Sequence, residues 1–140
     1  MNQRKFSLAI NDLDRAINLA PNDPDSHYHR GFTLGKLGDI KAAISDYSEV
    51  IRLDPHARDA LNNRGILYVK QEQFDHSIRD FTAIIELNPD NVQAYRLRSF
   101  AYSKSGDEER AKEDILKAFA LNPNDPKVLS QMRSMKLDTN

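Results

Sequence analysis

Histidine is the residue type that most invites a metal or acid–base reading here, and four occur: His27, His29, His56 and His76. His27 and His29 are two residues apart. On a helix their rings point in nearly opposite directions rather than jointly at one ion, so surface exposure or groove lining is expected. Glu108, Glu109 and Glu113 form a carboxylate cluster, a residue type suited to general acid–base work. They open a helical stretch, however, where negative charge complements the backbone dipole and meets solvent. Cysteine is absent, which removes thiolate nucleophiles, disulfides and Cys-bearing zinc sites together. No Gly-rich phosphate loop, HExxH or GxSxG pattern occurs. The sequence predicts no enzyme, no cofactor and no metal.

Charge narrows the partners. Lys plus Arg number 20 and Asp plus Glu 21, a formal charge of -1 spread along the chain. Phosphate-backbone binding needs a basic excess that is missing, so no nucleic acid is expected. The first residues, MNQRKFSLAINDLDR, carry charge where a signal peptide needs an unbroken apolar run. No window approaches the roughly 18 to 20 apolar residues of a membrane span. The expectation is a soluble, cytoplasmic chain of one domain, since 140 residues can bury a core without disulfides.

The organisation shows in the prolines. Pro21, Pro55, Pro89 and Pro123 recur every 34 residues, in the contexts LAPN, LDPH, LNPD and LNPN. Other columns keep the same phase. Counting the proline as position thirty-two, position seven reads Arg30, Arg64, Arg98, and position eight reads Gly31, Gly65, Ser99. Position twenty holds Ala9, Ala43, Ser77 and Ala111, and position twenty-three holds Asp12, Asp46, Asp80 and Asp114. Bulky columns follow at Leu13, Tyr47, Phe81, Ile115 and at Ile17, Ile51, Ile85, Phe119. Full repeats are assigned to 24–57, 58–91 and 92–125, with a half repeat at 1–23 and a capping helix and tail at 126–140.

Each repeat reads as two helices. Asp23 is a plausible N-cap before Pro24, and Gly38-Asp39 ends one helix and caps the next. Ile40, Ala43, Ile44, Tyr47, Ile51 and Leu53 then form one apolar stripe at three- and four-residue spacings. Pro55 stops its continuation. Small residues at positions eight and twenty allow two helices to approach closely. The pattern predicts helices near 3–19, 24–37, 40–53, 58–71, 74–87, 92–105, 108–121 and 126–137, with no strands. Asp125 caps the last, whose Val128, Leu129, Met132 and Met135 share one side.

These residues resemble the tetratricopeptide repeat (TPR) family: the 34-residue period, Gly at position eight, Ala at twenty, an aromatic at twenty-four and Pro at thirty-two are its signature. The family's tryptophan-like fourth position is His27, Leu61 and Tyr95 here, and its leucine at position seven is arginine throughout. The resemblance implies an all-α, right-handed superhelix of antiparallel helix pairs whose first helices line a concave groove. It implies a scaffold that binds a protein or peptide partner there. The alternative is a structural segment of a longer solenoid, or a self-associating module.

By the same resemblance, the groove is lined by Tyr28, His29, Phe32 and Lys36 of the first repeat. Asn62, Asn63, Ile66 and Lys70 of the second follow, then Arg96, Phe100 and Lys104 of the third. Phe32, Ile66 and Phe100 would form an apolar seam edged by the three lysines, suited to a segment with apolar anchors and some acidic character. The family's carboxylate clamp for chaperone tails needs Lys, Asn, Asn, Lys and Arg where this chain has Tyr28, Phe32, Asn63, Gln93 and Leu97. Only Asn63 matches, so that co-chaperone role is disfavoured.

Two further expectations concern charge and the first helix. The Arg and Asp columns are expected to pair as Asp12–Arg30, Asp46–Arg64 and Asp80–Arg98, with Arg30–Asp46, Arg64–Asp80 and Arg98–Asp114 as the alternative. Residues 3–19 match the second helix of a repeat, whose usual partner on the Phe6, Ala9 and Ile10 flank is missing. That exposed stripe is expected to mark a fragment of a longer array, or a homodimer made through Phe6 and Ile10.

Overall fold

The computed structural model describes residues 3–138. Among them are eight helices and no strand: α1 (Gln3–Leu19), α2 (Pro24–Leu37), α3 (Ile40–Leu53), α4 (Arg58–Lys70), α5 (Phe74–Leu87), α6 (Val92–Ser105), α7 (Glu108–Leu121) and α8 (Pro126–Ser134). The expected helices are all present. The chief difference is that α8 stops three residues early. Lys136 takes φ 57°, and the Leu137 N–H returns to the Met132 carbonyl at 2.9 Å, closing the helix with a left-handed cap.

Capping explains the other boundaries. The Asp23 carboxylate accepts from the Asp25 and Ser26 amides, and Asp39 accepts from Ala42. Gly38 and Gly106 end α2 and α6 at φ 86° and 92°, a conformation that costs an L side chain about 1–2 kcal/mol. Glu72 stands at the same repeat position after α4, and adopts φ 56° despite its side chain.

The chain divides into two compact units, Met1–Leu67 and Tyr68–Asn140. In the first, Ala43, Tyr47 and Val50 of α3 pack with Ala60 and Leu67 of α4, flanked by Leu34, Ile40, Ile44 and Ile51. In the second, Tyr95, Ile115, Ala118, Val128 and Met132 form the core. Val128 and Met132 of α8 are fully buried, each contributing about 1.5–3 kcal/mol. The opposite side of α8, with Lys127, Ser130, Arg133 and Ser134, is exposed.

Close helix approach falls where the small residues stand. A Cβ on Gly31 would lie 3.1 Å from the Asp46 Cβ and 3.3 Å from the Ala43 carbonyl oxygen. Ser99, its counterpart in α6, is fully buried and donates its hydroxyl to the Ala111 carbonyl at 2.6 Å.

The charged columns correct the preferred pairing. Arg30 does not meet Asp12: its Nε and Nη2 donate to the two oxygens of Asp46, each at 2.8 Å, and Nη1 donates to Asp14 at 2.9 Å. Arg98 forks onto Asp114 at 2.7 and 2.8 Å, with Nη1 on the Thr82 hydroxyl at 3.0 Å, rather than onto Asp80. Arg64 repeats the backward bond, Nη1 to Ser48 Oγ at 3.0 Å. The reason is geometric. One edge of a planar guanidinium matches a carboxylate on the helix antiparallel to it, leaving the remaining nitrogen to reach the preceding helix. The column Asp14, Ser48, Thr82, sixteen residues before each arginine, was legible as a series of oxygen acceptors and is absent from the sequence reading.

Candidate functional site

In the first unit the candidate residues lie on α2 and the first part of α4. Asn63 Nδ2 donates to the Tyr28 hydroxyl at 3.1 Å and to the Tyr47 hydroxyl at 3.3 Å. The one residue that fits the clamp pattern is thus already engaged with two phenols. Burial pushes the Tyr47 phenol up to about 12, with Asn63 opposing. The Tyr28 ring packs edge-on against Tyr47 and His29. Phe32 is 46% exposed, and the Lys36 ammonium lies 5.2 Å from its ring centroid. Asn62 and Ile66 are half-buried. A cavity of about 500 Å³ is lined by Tyr28, His29, Asp25, Asp54, Arg58 and Asp59 among others.

In the second unit, Arg96, Phe100 and Lys104 form one row on α6, four residues apart. Phe100 is 38% exposed, with the Lys104 ammonium 5.4 Å from its centroid, repeating the Phe32–Lys36 arrangement. Arg96 is half-buried. Burial lowers the pKa of its guanidinium, and Asp125 offsets this only in part. Between α6 and α8 lies a cavity of about 420 Å³, lined by Phe100, Ser103, Lys104, Glu108, Gln131, Ser134, Met135 and Lys136. Gln131 holds α8 in place, donating to the Arg96 carbonyl and the Ser99 hydroxyl, both at 3.1 Å. Lys70 is exposed at the end of α4.

The histidines separate as their spacing implied, but His27 is not a surface residue. It is buried at the family's tryptophan-like position, its Nε2 2.8 Å from the Pro21 carbonyl oxygen and its Nδ1 3.6 Å from Asp46. A carbonyl only accepts, so Nε2 carries the proton in that bond. His56 is exposed, and His76 stacks at a tilt on Tyr68. Among the described residues no group of three or more His, Asp or Glu could hold a metal ion, and no helix is long and apolar enough to cross a membrane. Phe6 and Ile10 on α1 are half-buried.

Eight helices among the described residues, on a 34-residue sequence period, define a helical-repeat solenoid. Three models of the tetratricopeptide repeat match residues 1–64, 59–91 and 92–125, and the chain belongs to that family. Among solved structures, MamA (residues 41 to the end) from Desulfovibrio magneticus RS-1 is 27% identical. It superposes with a TM-score of 0.84 over 94% of this chain and 76% of that one. YrrB, described as a TPR protein with an unusual peptide-binding site, is 21% identical, with a TM-score of 0.84 over 94% and 68%. The first TPR of Spaghetti (RPAP3), bound to the HSP90 peptide SRMEEVD, is 24% identical, with a TM-score of 0.74 over 81% and 90%. The last two show likeness of fold. No curated protein sequence matches the chain significantly.

Proposed function

We propose that this protein is a non-catalytic interaction scaffold, an adaptor that holds peptide or helical segments of partner proteins against the faces of its first helices. The carrying observation is the repeated pair of an exposed phenylalanine under a lysine, Phe32–Lys36 and Phe100–Lys104. An aromatic ring left in solvent at the same register of two repeats costs hydrophobic stabilisation, and a partner's apolar side chain would recover it. Peptides bound by the Spaghetti repeat and by YrrB fit this reading in kind. The HSP90 tail is not carried over, because Tyr28, Phe32, Gln93 and Leu97 stand where the clamp needs other residues. Selection from a random-peptide display library tests the proposal. Phe32→Ala and Phe100→Ala should each weaken the selected binders at least about tenfold, with Tm nearly unchanged. Loss of stability without loss of binding would place the rings in the fold rather than the site.

A second reading has its own observation. On α3 the column residues Ala43, Tyr47 and Val50 are buried, whereas their register equivalents Ala9, Leu13 and Ala16 on α1 are only half-buried, and Leu8 is 57% exposed. Self-association through Phe6 and Ile10 would cover that stripe. Light scattering on the wild type and on Phe6→Ser with Ile10→Ser decides it: a dimer that becomes a monomer supports the contact, and a wild type monomeric at high micromolar concentration removes it.

A further inference from the structure

The row on α6 differs from its counterpart on α2 in charge. Tyr28, Phe32 and Lys36 carry one cation, whereas Arg96, Phe100 and Lys104 place one on each side of the exposed ring. Lys136, exposed beyond α8, adds a third; with Phe100 and Lys104 it lines the α6–α8 cavity, and Arg96 stands four residues before Phe100 on α6. Among the described residues the Arg96 guanidinium has neither hydrogen bond nor ion pair. Its nearest acidic influence, Asp125, spends its carboxylate on the Lys127 and Val128 amides at the start of α8. Glu108, the one carboxylate in the cavity wall among the described residues, accepts the Ser103 hydroxyl at 2.9 Å. A half-desolvated guanidinium left unpaired is costly in the free protein and is relieved when a carboxylate reaches it.

Resting on the scaffold reading above, we propose that the α6–α8 cavity takes an acidic segment of a partner protein. One bulky apolar side chain would seat on Phe100 and Met135, with carboxylates before and after it on Arg96 and on Lys104 with Lys136. Arg96 and Phe100 stand at the repeat register of Tyr28 and Phe32, clamp places of the first repeat, while the clamp places of the third repeat hold Gln93 and Leu97 here. A peptide is favoured over a nucleic acid because the chain carries a formal charge of -1, without the basic excess that phosphate-backbone binding needs.

Three synthetic peptides sharing one central phenylalanine, with flanks of Asp and Glu, of Ser and Gly, or of Lys and Arg, test the proposal by fluorescence anisotropy. An oligo-dT of matched charge serves as the nucleic-acid arm. The acidic peptide should bind at least about tenfold tighter than the neutral one at low salt, and half-molar salt should erase most of that advantage. Arg96→Gln and the pair Lys104→Gln with Lys136→Gln should each remove the advantage, while Lys41→Gln, exposed on α3 in the first unit, leaves it intact. Neutral or basic peptides binding as well as the acidic one would overturn the charge assignment and leave the scaffold reading standing. Tighter binding of the oligonucleotide would overturn the peptide assignment. If no member of the trio binds although library selection yields ligands, the acidic segment is wrong; if selection fails too, both readings fall.

Discussion

Arg30 on α2 and Arg98 on α6 occupy the same repeat position 68 residues apart, and each forks onto an aspartate of the following helix. Their surroundings differ at every other partner. Arg30 reaches back to a second carboxylate, Asp14, itself 47% exposed, whereas Arg98 reaches the neutral hydroxyl of Thr82. The Arg98 side chain is 17% exposed against 26% for Arg30, and the rings of Tyr95 and Tyr102 flank it, each 5.8 Å away. The pocket beside Arg30 holds His27 instead of Tyr95. Next to the arginine, Gly31 becomes Ser99 and Tyr47 becomes Ile115. One repeat motif therefore supports two solutions: a wetter site with redundant charge, and a drier one with a single carboxylate and aromatic walls. Hydrogen bonding to the aspartate raises the pKa of both guanidinia above their ordinary value.

Removing the shared aspartate should separate the two most sharply. Asp114→Ala strands Arg98 among tyrosines and should cost about 3 kcal/mol in urea denaturation. Asp46→Ala leaves Arg30 its bond to Asp14 and should cost nearer to about 2 kcal/mol. Equal losses would mean that the backward carboxylate contributes nothing.

Exchanging the small residue is the next test. Gly31→Ser pushes atoms toward the Asp46 Cβ and the Ala43 carbonyl and should cost about 2 kcal/mol. Ser99→Ala loses one buried hydrogen bond, about 1 kcal/mol. A neutral Gly31→Ser would show that α2 and α3 can separate without penalty.

The helix positions were legible because they rest on local chemistry. Asp23, Asp39 and Asp125 precede helices as caps, Gly38 and Gly106 follow them, and the prolines repeat. The arginine pairing was not legible in its preferred form. Offsets of 16 and 18 residues both join the correct columns, and only the antiparallel stacking of two helices decides between them. Nor did spacing alone show that Asn63 would be tied to Tyr28 and Tyr47, or that His27 would be buried.

The Tyr47–Ile115 difference predicts a gentler, pH-dependent effect. The Tyr47 phenol ionises at about 12 in the folded chain, against an ordinary value of 10.0. A raised pKa means that the stabilisation is intact below pH 10 and is lost as pH climbs from there toward 12. Chemical denaturation across that window should show a decline that Tyr47→Phe abolishes. Persistence of the decline in the phenylalanine variant would assign it elsewhere. The smallest effect belongs to the turns: Glu72→Gly should raise stability by about 1 kcal/mol, and Gly38→Ala should lower it by a similar amount. A neutral Glu72→Gly would show that the glutamate side chain offsets its own backbone strain.

The sequence by itself determined the repeat period, the eight helices, their caps and the family, since all follow from interactions spanning a few residues and repeated in phase. The tertiary structure alone decided which oxygen each arginine takes, which aromatic rings stay in solvent, and that Arg96 is half-desolvated without a hydrogen-bond or ion-pair partner among the described residues. Those outcomes depend on distances between helices brought together by packing, and a linear pattern carries no information on which of two equally spaced neighbours lies closer in space.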